Sequence, residues 1–193
     1  MDDSRDTPTT ISLIGMPGAG KSTVGVILAK LTGLRFCDTD LDIQVREHAT
    51  LQDILEQQGY QRLRDIEEEV LLAIDLEHAI ISTGGSVVYS GAAMARLRDA
   101  GPLVYLAADL DSLEQRVARA PLRGIACSTA QSLAEVYAER TPLYEHYADI
   151  TIDATSGCAE EVAASILRQI GPGSQTSTDA SGRVRTAGNS SPK

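Results

Sequence analysis

No run of apolar residues in this 193-residue chain is long enough to span a bilayer, and residues 1–10 are polar and acidic, unlike the start of a secretory signal. Basic residues are scarce as well. Seventeen Lys and Arg against 27 Asp and Glu leave a formal charge of −10, which works against nucleic acid or an anionic membrane surface as partner. The expectation is a cytoplasmic monomer that meets a small-molecule substrate, with no nucleic acid and no membrane. Only three cysteines occur, Cys37, Cys127 and Cys158, and their spacing matches neither a zinc site nor a redox pair, so they read as reduced thiols. His48, His78 and His146 are equally scattered, which excludes a histidine metal centre and leaves surface or edge positions. No internal repeat is present.

What the chain does have is 42% apolar residues, enough for one core, in short β-branched runs that alternate with longer helical patterns. That alternation predicts an α/β fold with a parallel sheet covered by helices on both faces. Strands are expected at 10–15, 35–38, 79–83, 103–107 and 149–152. Helices are expected at 21–32, 41–47, 51–58, 60–77, 90–100, 110–119, 131–147 and 159–170. One folded unit over 10–170 is therefore predicted, between a disordered N-terminus (1–9) and a Gly-, Ser- and Thr-rich tail (171–193) too poor in apolar residues to fold.

Gly15-Met-Pro-Gly-Ala-Gly-Lys-Ser22 follows the first strand and opens a helix, the context in which G-x-x-x-x-G-K-[ST] cradles phosphate. Gly15, Gly18, Ala19, Gly20, Lys21, Ser22 and Thr23 are the candidate nucleotide contacts. The glycines let backbone N–H groups converge on an anion, and the positive end of the helix faces it. Lys21 is positioned for the terminal phosphates and Ser22 for Mg²⁺, so the expected cofactors are ATP and Mg²⁺.

Other candidates cluster at strand ends. Asp38 and Asp40 stand two apart at the end of the second strand, which predicts side chains on one face at the ligand crevice: Asp38 toward Mg²⁺, Asp40 toward a substrate hydroxyl. The alternative is Asp40 as the cap of a helix that starts at Leu41. Arg140 falls in line with Leu133, Tyr137, Tyr144 and Tyr147, and Arg64 sits three residues before Glu67 in an apolar stripe of Leu63, Val70 and Ile74. Both arginines are candidates for a substrate carboxylate, with structural ion pairs or snorkelling to water as the alternative. Gly84 and Gly85 allow a close approach of backbone to ligand, or a plain turn. Arg116, Arg119 and Arg123 flank an aperiodic segment, 120–130, that reads either as a lid or as a solvated basic face.

In order, Gly-Met-Pro-Gly-Ala-Gly-Lys-Ser-Thr (15–23), Asp38-Thr-Asp40, Leu63-Arg-Asp-Ile-Glu67, Gly84-Gly85, and Glu139-Arg-Thr-Pro-Leu-Tyr144 followed by Ala148-Asp149 resemble the shikimate kinases. These are small P-loop kinases related to the nucleoside monophosphate kinases, and the likeness covers about 10–170. It implies a three-layer α/β/α P-loop kinase fold with a five-stranded parallel sheet of order 2-3-1-4-5 and a substrate-binding helical segment inserted after the second strand. It also implies ATP-dependent phosphorylation of the 3-hydroxyl of shikimate. Asp40, Arg64, Gly84, Gly85 and Arg140 would bind the acceptor, Ser22 and Asp38 the metal, and Lys21, Asp40 and the lid arginine Arg123 would serve catalysis. Three features depart from the family's pattern. Ser86 replaces a third glycine, so a Cβ and hydroxyl are expected to intrude on the acceptor; Gly-Ile-Ala follows Arg123; and no adenine-side arginine is evident at 152–158. Two other functions stay open: a divergent P-loop kinase of another small hydroxy acid or sugar acid, and a non-catalytic nucleotide-binding regulatory protein.

Overall fold

The computed structural model describes residues 9–119 and 131–171. The expected lid at 120–130, with Arg123 in it, and nearly all of both expected disordered ends lie outside the described residues. Within them the chain runs β1 (Thr10–Ile14), α1 (Lys21–Thr32), β2 (Arg35–Asp38), α2 (Thr39–Glu47), α3 (Leu51–Ala73), β3 (Ala79–Ser82), a 3₁₀ turn (Val87–Tyr89), α4 (Gly91–Ala100), β4 (Leu103–Ala107), α5 (Leu110–Arg119), α6 (Leu133–Tyr147), β5 (Ile150–Asp153) and α7 (Ala159–Ile170). The strands form one all-parallel sheet in the order β2-β3-β1-β4-β5, as expected from the resemblance.

Burial explains the order. β1 and β3 are buried at every residue and take central places covered on both faces, whereas β2 and β5, partly exposed, form the edges. One apolar core includes Ile11, Leu13, Leu28, Ile80, Val104 and Ile166. A second, smaller core of Ile43, Leu51, Ile54, Leu63, Ile66 and Val70 joins α2 to α3, so the segment inserted after β2 has packing of its own.

Local chemistry sets the ends of the helices. The side chain of Thr50 accepts from the Asp53 N–H while Asp53 returns a bond to Thr50, and Ser132 with Glu135 does the same at the start of α6. The expected break between helices at 51–58 and 60–77 is present as a kink inside α3, where Gly59 has φ 82°. The second half ends at Ala73 rather than residue 77, because Ile74 is extended and the Asp75 carboxylate accepts the Glu77 N–H in a turn.

Candidate active site

The sheet register brings the site together. Leu13 of β1 lies beside Ser82 of β3, which lies beside Asp38 of β2, so the ends of three strands open on one edge next to the phosphate loop. Gly15 has φ 145°, and a Cβ there would meet the Leu106 carbonyl oxygen at 2.8 Å; Gly20 has φ 96° at the start of α1. Only glycine suits either position. Lys21, in the first turn of α1, is buried and donates from Nζ to the carbonyls of Gly15 (2.7 Å) and Met16 (3.0 Å). Burial pushes its pKa down to about 8 against the opposing pull of Asp40 and Asp38. Ala19 is buried, Gly18 and Thr23 are exposed, and the Ser22 hydroxyl lies 3.4 Å from that of Ser82.

The two aspartates are not on one strand. Asp38 ends β2 and caps α2, its Oδ1 accepting the Asp40 N–H at 3.1 Å, while Asp40 sits in the first turn of that helix. The same-face argument from strand spacing is therefore wrong, and the cap assigned to Asp40 belongs to Asp38. Both still border the crevice, because the helix begins where the strand ends. Between them Thr39 donates to the Ser82 carbonyl at 3.4 Å and accepts the Gly84 N–H at 2.9 Å, tying α2 to the loop after β3.

That loop approaches its neighbours closely. A Cβ on Gly84 would stand 2.6 Å from Glu67 Oε1 and 3.1 Å from Asp40 Oδ1; one on Gly85 would stand 2.9 Å from Pro17 Cδ and 3.1 Å from Arg140 Nη1. Arg140 is 1% exposed, inward as its register on the apolar stripe predicts, above the buried Tyr144 whose ring stacks on Tyr105 at 5.2 Å. The Tyr144 hydroxyl donates to the Gly85 carbonyl. Arg64 is half-buried, its guanidinium 3.8 Å from the centroid of the Tyr89 ring. Tyr89 also meets Arg140, whose Nε donates to its hydroxyl at 3.3 Å, and that hydroxyl donates to Glu139 at 2.8 Å. Burial raises Glu67 to about 7, opposed by a hydrogen bond from the Ser86 hydroxyl. The hydroxyl of Ser86, expected from the sequence to intrude on the acceptor, is turned onto Glu67, while the residue still lines the pocket that it shares with Arg64, Glu67 and Tyr89.

A groove of about 280 Å³ runs along the other side of the phosphate loop, lined by Gly18, Gly20, Thr23, Arg116, Ala154 and Gly157 among others. Arg116 of α5 donates to the Gly18 carbonyl (3.3 Å) and the Ala154 carbonyl (2.9 Å). No arginine is evident within 152–158 in the sequence; the arginine that reaches the Ala154 carbonyl and lines this groove comes instead from α5. Tyr89 and the 3₁₀ turn were equally hidden: Val87-Val-Tyr89 is three residues long and carries no helical period.

This fold and phosphate loop define a P-loop phosphotransferase. The sequence profile of the shikimate kinase family matches residues 17–171. The chain is 33% identical over 169 residues to a shikimate kinase of Nitrosospira multiformis, covering 86% of this chain and 87% of that one. It is 35% identical over 167 residues to shikimate kinase 2 of Pectobacterium carotovorum, covering 83% and 95%. The structure of an Acinetobacter baumannii shikimate kinase in complex with shikimate superposes with a TM-score of 0.75 at 32% identity, covering 83% of this chain and 91% of that one. The chain belongs to the shikimate kinase family, and it is an ATP-dependent small-molecule kinase.

Proposed function

We propose that this chain transfers the γ-phosphoryl group of ATP to the 3-hydroxyl of shikimate, giving shikimate 3-phosphate and ADP. One observation carries the assignment of residues: the charged groups acting on the buried Lys21 ammonium are Asp40, Asp38, Arg140 and Glu67, so donor-side and acceptor-side groups form a single electrostatic unit. Lys21 and the loop amides hold the triphosphate, and Arg116 borders the groove that suits the base. Arg64 and Arg140 take the acceptor carboxylate, with Gly84 and Gly85 admitting the ring close to backbone. Asp40 accepts the proton of the attacking hydroxyl as the O–P bond forms and the bond to the ADP oxygen breaks. Ser22 and Asp38 are oxygen donors at one sheet edge, a set that fits Mg²⁺, which prefers hard oxygen ligands. When bound, that ion supplies charge neutralisation on the phosphates. Arg123, as the lid arginine, would close over the γ-phosphate. The acceptor assignment rests on the ordered motifs, the family, and the shikimate-bound relative. Incubation with ATP, Mg²⁺ and a panel of hydroxy acids, followed by ADP release, tests it; turnover confined to another acceptor would refute it.

A further inference from the structure

We propose that Ser86 and Tyr89, three residues apart in the loop that follows β3, are positioning residues that preset Glu67 and the two acceptor-side arginines before substrate arrives. The proposal rests on the reading of Arg64 and Arg140 as the carboxylate contacts. Ser86 is 3% exposed and Glu67 7% exposed, so neither finds its partners in bulk water. A buried carboxylate requires donors, and the Ser86 hydroxyl supplies one from the opposite wall of the site. A glycine in its place would withdraw that donor. Glu67 faces Asp40 from α2, Arg64 from its own helix, Arg140 and Tyr144 from α6, and Lys21 from the phosphate loop. Its ionised form balances the guanidiniums, and the Ser86 hydroxyl favours that form against burial, which helps to hold them in place.

Tyr89 acts on the same pair by another route. The guanidinium of Arg64 lies over its ring at 3.8 Å, and that of Arg140 at 5.3 Å. Stacking occupies the face of a guanidinium and leaves its N–H edge for a carboxylate. The phenol hydroxyl accepts from Arg140 and donates to Glu139, which fixes the direction of its proton. One residue of this short turn, Tyr89, therefore orients both cations from outside the motifs that mark the site in the sequence.

The test is steady-state kinetics across pH 5.5–9 on the full chain and on Ser86→Ala, Ser86→Thr, Tyr89→Leu and Tyr89→Phe, with Arg140→Ala as reference. Ser86→Ala and Tyr89→Leu are expected to raise the acceptor KM about 5- to 30-fold, the range for a lost hydrogen bond or stack to a charged group, with the KM for ATP unchanged. Tyr89→Phe keeps the stack and should show the smaller effect. Loss of the Ser86 hydroxyl removes what holds Glu67 down, so the acid limb of kcat/KM for the acceptor should move to higher pH in Ser86→Ala and return in Ser86→Thr. A merely structural role would lower the melting temperature and leave that limb where it is. The proposal is overturned if Ser86→Ala and Tyr89→Leu leave acceptor KM and acid limb unchanged while Arg140→Ala raises acceptor KM. If Arg140→Ala leaves acceptor KM unchanged too, the carboxylate reading itself fails, and the proposal falls with it.

Discussion

The Asp38 carboxylate accepts the backbone N–H of Asp40 at 3.1 Å, so one candidate site carboxylate caps the helix that carries the other. Asparagine caps a helix about as well as aspartate, which separates the two roles. Asp38→Asn should leave the melting temperature near that of the parent and still lower turnover by at least tenfold through loss of the metal-side charge. Asp38→Ala should also cost about 1 kcal/mol in stability, the usual loss for a removed cap. Thermal melts and kinetics on the two variants check this, and equal loss of stability in both would contradict it.

Gly84 and Gly91 should respond in opposite ways to the same added methyl. At Gly84 a Cβ would strike Glu67 and crowd Asp40, whereas at Gly91, in the first turn of α4, nothing lies within 4 Å. Gly84→Ala is expected to raise the acceptor KM at least tenfold. Gly91→Ala should leave kinetics alone and stabilise by about 0.4–1 kcal/mol, because alanine has less chain entropy to lose. Denaturant melts and acceptor titrations measure both effects.

Glu67 makes stability pH-dependent in a defined direction. Its folded pKa, about 7, lies above the ordinary 4.5 because it is buried. Between those values the folded chain holds a proton that the unfolded chain has released, so this group's contribution to stability falls as pH rises through the window. Glu67→Gln abolishes that titration. The melting temperature of the variant relative to the parent should therefore rise between pH 4.5 and 8, and a pH-independent difference would contradict the assignment.

Cys37 should be inert in the native chain. Burial, with Asp42 accepting its S–H at 3.1 Å, pushes the thiol up to about 12, while Cys158 is exposed. Iodoacetamide at pH 8 followed by peptide mass mapping should find Cys158 modified and Cys37 protected until denaturant is added. Equal labelling of the two would show that the β2 edge opens.

How much of this was legible in the sequence depended on whether a signal was periodic or spatial. The central strands announced themselves as short apolar runs, and Arg140 as a charge on an apolar helical stripe, because 3.6- and 2-residue periods translate directly into faces. Asp38 and Asp40 showed the limit of that translation. Their spacing was read with a strand period, yet the chain passes from strand to helix between them. Ser86 was visible as a departure, but its direction was not, since only the fold brings Glu67 within reach of it. Tyr89 and Arg116 act through partners far along the chain, at Arg64 and Arg140 in one case and at Gly18 and Ala154 in the other. No local pattern encodes such pairings.

The most direct test of the whole account is a single reaction mixture of purified protein, ATP, Mg²⁺ and shikimate, followed for ADP release and by ³¹P NMR for a phosphate ester. The predicted result is stoichiometric formation of shikimate 3-phosphate and ADP, abolished by Lys21→Ala. Release of ADP no faster than in the ATP-only control, with no phosphate ester formed, would contradict it.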